Sequence, residues 1–150
     1  MGETAVVCVG NATRSDDAIG PLIAEELSRQ PVPVPVHLSN GEPGDLLDLW
    51  RHLDRVVLVD AVVTGRSEPG TVHVLNASSD PLPVVSHASS HGIGIPESIE
   101  LARSLHQLPG DVRLVGIEAG SLEPGSELTP AVRQAIPGAV AQILVEIQDA

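Results

Sequence analysis

Lysine is absent from this 150-residue chain: all eight basic residues are arginine, against twenty Asp+Glu, giving a formal net charge of −12. Without a side-chain amine there is no Schiff-base chemistry, no phosphate-loop lysine and no Ser-Lys dyad. Phe and Tyr are missing too, and Trp50 is the only tryptophan, which removes the aromatic platforms on which bases stack. With the acidic balance added, no nucleic-acid partner is expected. Cys8 is the single cysteine, too few for an internal disulfide, a CxxC redox pair or a cysteine-rich zinc site. No apolar run approaches the ~18 residues of a membrane span. Met1-Gly2-Glu3-Thr4 carries no basic stretch of the kind that opens a signal peptide. A soluble cytoplasmic protein with no membrane partner is the expectation, folded as one domain over residues 1–150.

The core must then come from Val, Leu, Ile and Ala, the usual content of a parallel sheet buried on both faces. Thr4–Val9 reads as a buried strand ended by Gly10-Asn11. Ser15-Asp16-Asp17 opens a helix with Ile19, Leu22, Ile23 and Leu27 at helical spacing, closed by Gln30-Pro31. The alternating prolines 31, 33 and 35 hold an extended connector into a weak strand at Val36–Leu38. Gly44–Leu53 reads as a helix, Arg55–Asp60 as the strongest strand and Thr71–Leu75 as a modest one. Asn76–Gly94 is a long aperiodic stretch rich in Ser and His, of the kind that is usually functional. A helix from about Pro96 to Gly110, a strand at Val112–Ile117 and a helix from Pro130 to about Gln148 follow. Pro137-Gly138 is expected to break or restart that last helix. Alternating strands and helices imply an α/β three-layer sandwich: a twisted, mostly parallel sheet of about five strands with helices on both faces.

In such sheets ligands bind beyond the carboxyl ends of the strands, where strand order switches direction. Three polar positions are candidates for that edge. Asp17 follows the first strand; its ordinary role, like that of Asp16, is favourable charge in a first helical turn. Asp60 ends the run Val56-Val57-Leu58-Val59, so either it caps a turn or its carboxylate meets a cation, a metal or a donor at the sheet edge. His91 sits in the small-residue loop Ser89-Ser90-His91-Gly92-Ile93-Gly94, as a solvated surface residue or as a ligand, with His87 a competing position. His37, His52, His73 and His106 read as structural. Two carboxylates and an imidazole suit a borderline divalent metal with open positions. Sharper signatures are missing: the first turn does not satisfy GxGxxG, and no GxSxG or HExxH occurs. Cys8, inside a buried strand, reads as packing rather than as a nucleophile.

Four segments in order carry a family likeness. Val9-Gly10-Asn11 followed by Asp16-Asp17-Ala18-Ile19-Gly20-Pro21 resembles the opening signature of the nickel-iron hydrogenase maturation proteases. Leu58-Val59-Asp60-Ala61 resembles their central strand end, and Ser90-His91-Gly92-Ile93-Gly94-Ile95 their histidine segment. Val115-Gly116-Ile117-Glu118, Ser121-Leu122-Glu123-Pro124 and Leu128-Thr129-Pro130 are similar to their C-terminal third. The resemblance implies an endopeptidase, a hydrolase that removes the C-terminal extension of a hydrogenase large-subunit precursor after nickel insertion. It carries the family's metal-contacting and catalytic positions onto Asp17, Asp60 and His91, with nickel supplied by the precursor. A monomeric enzyme is expected. The chain departs from the family pattern at Cys8, where many members have glycine, at Ala18, another common glycine, and at Asp17, where some carry Glu.

The resemblance leaves the chemistry open between two schemes. In one, the metal polarises the scissile carbonyl or activates water, and both carboxylates stay ionised. In the other, a carboxylate dyad acts directly on water and one member holds a proton. Asp16 would cap the first helix or hold the loop carrying Asp17. A nickel-binding checkpoint or chaperone that docks without cutting would use the same ligands. A phosphate-binding domain using the Gly10–Ser15 amides ranks last, since it lacks a glycine-rich cradle.

Overall fold

The computed structural model describes residues 3–10, 15–78, 95–120 and 127–148. In chain order the elements are β1 (Thr4–Val9), a 3-10 turn (Ser15–Ala18), α1 (Ile19–Ser28), β2 (Val36–Ser39), α2 (Pro43–Trp50) and β3 (Arg55–Val62). After them come β4 (Val72–Asn76), α3 (Ile95–Ser104), β5 (Asp111–Glu118) and α4 (Pro130–Gln148). One five-stranded sheet runs in the order β2-β1-β3-β5-β4. All its pairs are parallel except β4 with β5.

Strand alternation divides the core in two. Val6, Cys8, Val57, Val59, Val115 and Ile117 face the side that carries Ile19 and Ile23 of α1 and Ile143 of α4. Val7, Val9, Val56, Leu58 and Leu114 face the other side, with Leu46 and Trp50 of α2 and Ile99 of α3. Every residue of β3 is buried, as a central strand covered on both faces requires. The α/β sandwich with helices on both faces is therefore the observed architecture.

The chain leaves β1 outward to β2 through α1, then returns across β1 to β3 through α2 on the opposite face. That reversal makes the gap between the carboxyl ends of β1 and β3 the switch point of the sheet. α1 closes down on this end: a Cβ added to Gly20 would collide with the carbonyl oxygen of Val9. Because the obstacle is backbone, it cannot rotate away. Gly20→Ala is expected to cost about 3 kcal/mol and to lower Tm by roughly 10 °C, checked by thermal unfolding; an unchanged Tm would contradict the close approach.

Three elements differ from the sequence reading. α3 stops at Ser104 rather than near Gly110. β3 continues past Asp60 to Val62, paired with β5 as far as Glu118. α4 is not broken at Pro137 but runs through it. Pro137 and Arg133 lie on the exposed side of α4, so the carbonyl that loses its amide partner is open to water. Val132, Ala139, Val140 and Ile143 hold both halves against the sheet, and that packing outweighs the missing hydrogen bond. No helix among the described residues is long and apolar enough to cross a membrane.

Candidate active site at the carboxyl edge of the sheet

Asp60 stands at the switch point. It shares the alternation phase of Val56, Leu58 and Val62, which places it on the α2/α3 face of the sheet. It is fully buried and lies across from Gly116 of β5. On its other flank, β1 pairs with β3 as far as Cys8 with Val59, so Asp60 is level with the point where β1 gives way to its loop. The 3-10 turn that holds Asp17 packs against β3. A carboxylate carried into a sheet core is costly to keep there, and the edge of the switch point is where a functional use would offset that cost.

Asp16 has a different task from the helix-start charge expected of it. It precedes α1 proper, whose N-cap position is Ala18 with no side-chain cap. Its buried carboxylate instead accepts hydrogen bonds from the Gly120 amide at 2.6 Å and the Thr129 amide at 2.7 Å. The Thr129 hydroxyl lies 2.9 and 3.0 Å from its two oxygens. One carboxylate thus ties together the turn after β1, the exit of β5 and the residue before α4. The expectation that Asp16 holds the loop carrying Asp17 is met in this form; a cap on the first helix is not.

A second carboxylate cluster closes the same edge. Glu118, the last residue of β5, accepts the Thr64 amide at 2.9 Å and the Thr64 hydroxyl at 2.7 Å. His73 Nε2 lies 3.0 Å from the same carboxylate. His73 pairs with Gly116 across β4 and β5, so Asp60, Gly116 and His73 form a row across three strands on one face. Burial pushes the Glu118 carboxyl up, but the bonds from Thr64 and His73, with the attraction of the imidazole's charge, hold it below its ordinary value. A group with a depressed folded pKa contributes stability above its unfolded pKa and loses it as pH falls through the folded one. Glu118→Gln is expected to lower stability at neutral pH by about 1–2 kcal/mol and to flatten the fall of Tm below about pH 4. Thermal scans between neutral and acid pH check this; parallel curves for the two proteins would contradict it.

Of the three sequence-derived site residues, Asp60 lies within β3, two residues before the strand ends, rather than terminating it. Asp17 has its backbone in the turn against β3, while its side chain lies outside the described part of the structure. His91 and its competitor His87 lie outside the described residues, in the segment that leads into α3 on the Asp60 face. Among the described residues no group of three or more His, Cys, Asp or Glu is arranged to hold a metal ion. Cys8 is buried among aliphatic side chains, and burial pushes its thiol up to about 12, so it holds almost no thiolate near neutral pH. Sequence reasoning missed the Glu118, Thr64 and His73 cluster. Its only sequence signal is the acidic end of an aliphatic strand, the pattern that singled out Asp60.

Fold and site together define a class: a single-sheet α/β protein with a buried carboxylate near the carboxyl end of the central strand, at the switch point, and two further carboxylate clamps around it. Known proteins of that build carry the match further. The model of the hydrogenase maturation protease family, HycI, matches residues 21–146. Hydrogenase 2 maturation protease of Escherichia coli (strain K12) is 31% identical over 148 residues, covering 96% of this chain and 90% of that protein. The solved structure of the hydrogenase maturating endopeptidase HybD from E. coli is similar with a TM-score of 0.81 and 30% identity, over 98% of this chain and 93% of that one. The [NiFe] hydrogenase maturation protease HycI from Thermococcus kodakarensis KOD1 gives a TM-score of 0.69 at 26% identity, over 98% and 93% of the two chains. The chain belongs to the hydrogenase maturation protease family, and its activity is that of a hydrogenase maturation endopeptidase.

Proposed function

We propose that this protein cuts the C-terminal extension from a nickel-iron hydrogenase large-subunit precursor once nickel is in place, in the cytoplasm. Asp17, Asp60 and His91 meet the nickel that the precursor carries, so the metal arrives with the substrate. The observation that carries this reading is the seat of Asp60: a fully buried carboxylate at the switch point of a chain from this family. Oxygen and nitrogen donors of this kind suit a borderline divalent ion. Asp17, on the turn packed against β3, adds the second carboxylate, and His91, four residues ahead of Ile95, the imidazole.

The chemistry follows from charge. A cation beside Asp60 and Asp17 keeps both carboxylates ionised, which favours metal-assisted hydrolysis over an acid dyad sharing a proton. Bound nickel would polarise the scissile carbonyl; the chain's own carboxylates would hold the ion, and Asp16 keeps the turn that carries Asp17 in place. The buried surroundings strengthen each of these charge interactions.

Paired incubations with nickel-loaded and nickel-free precursor test the proposal. The loaded form is expected to lose a C-terminal fragment and the nickel-free form to keep its mass. Equal cutting of both would remove nickel recognition. No cutting of either would leave a docking protein without protease activity.

A further inference from the structure

The outer edge of β2 lies beside the strand that flanks the switch point, and the mechanism does not use it. β2 has β1 on one side and, among the described residues, no strand on the other. The Val6 amide bonds to the Pro35 carbonyl and the Gly10 amide to the Ser39 carbonyl. In a parallel ladder this turns the backbone groups of residues 35, 37 and 39 toward β1 and those of Val36 and Leu38 outward. Natural edges are usually blunted by charge, proline or a bulge. Val36–Ser39 carries neither charge nor proline within it, and Leu38 is 60% exposed.

That edge runs beside a groove at the carboxyl end of β1. The groove, of about 470 Å³, is lined by Gly10, Pro21, Leu38, Asn40, Glu42 and Asp45. Gly10 directly follows the last residue of β1, so the groove's lining reaches the carboxyl end of the strand that flanks the switch point. Among the described residues its charged lining is Glu42 and Asp45, and Leu38 stands exposed on the same edge. The opposite edge, β4, is separated from β1 by both β3 and β5, whereas β2 pairs with β1 directly.

We infer that the precursor segment flanking the scissile bond adds to β2 as an extended strand, pairing with the backbone of Val36 and Leu38. The segment places an apolar residue against Leu38 and a positively charged one toward Glu42 and Asp45. Main-chain pairing of this kind gives affinity with little demand on sequence, and the side-chain pockets give the preference. The inference rests on the proteolytic reading above.

Two variants and a crosslink test it with the full chain and nickel-loaded precursor. Leu38→Pro removes an outward amide that β1 does not use, and Leu38→Arg places a cation in the acidic groove at an exposed position. Each is expected to raise KM by about tenfold or more while kcat stays within about twofold. A photoreactive residue at position 38 is expected to crosslink to the segment beside the cut bond, mapped by mass spectrometry. Wild-type KM in a folded Leu38→Arg protein would overturn the inference, as would a crosslink mapping to the body of the precursor, or none. Failure of the wild-type protein to cut the loaded precursor would instead remove the proteolytic reading, and the crosslink would still report where the segment docks.

Discussion

Asp60→Asn is expected to reduce processing of a nickel-loaded precursor by about a thousandfold or more, equivalent to roughly 4 kcal/mol of lost transition-state stabilisation. Asparagine keeps the shape of the side chain but removes the negative charge, so the site loses an anionic ligand without leaving a cavity. Stability should change far less than activity. Asp60 is fully buried on a strand whose residues are all buried, and asparagine keeps the side chain's volume and one oxygen acceptor, so the protein should still unfold cooperatively. Processing rates and thermal unfolding of the same preparation check both halves. A variant that cuts within tenfold of the wild-type rate would show that Asp60 is a structural residue of β3.

Asp16→Ala is expected to behave in the opposite way, with stability lost first and activity lost with it. The substitution strips the Gly120 and Thr129 amides of their acceptor in two part-buried bonds. Hydrogen bonds to a charged group contribute about 1.5–3 kcal/mol each. A total near 4 kcal/mol would lower Tm by roughly 10–15 °C for a chain of this size. Three segments come loose together: the turn carrying Asp17, the exit of β5 and the start of α4. Processing should therefore fall below the unfolding temperature as well, because Asp17 is no longer held against β3. Asp16→Asn separates the two effects. It keeps the volume but puts an NH₂ group against amide donors, so most of the stability loss should remain. A Tm within a few degrees of wild type for Asp16→Ala would contradict the clamp.

The elements were largely legible in the sequence because aliphatic runs mark strands buried on both faces. Thr4–Val9 forms β1 with the bounds the sequence suggests, and Arg55–Asp60 and Val112–Ile117 are the centres of β3 and β5. Pro137 misled because a local propensity of one residue was set against the packing of a nineteen-residue helix on the sheet. At the site, Asp60 was legible because a carboxylate ending four aliphatic residues has one place to go. The partners of Asp16 are 104 and 113 residues away, and no periodicity reports a contact of that span. The pairing of His73 with Glu118 depends on β4 running antiparallel to β5. Composition and spacing are silent on that choice.

The claim that Asp17, Asp60 and His91 act together at one edge is tested most directly by intact-mass measurement of a nickel-loaded precursor incubated with the wild-type protein or with single variants. Asp17→Asn, Asp60→Asn and His91→Ala should each leave the precursor at full mass while retaining cooperative unfolding, and His87→Ala should cut nearly as wild type does. Normal cutting by any of the first three, or loss of cutting by His87→Ala with His91→Ala active, would contradict the assignment.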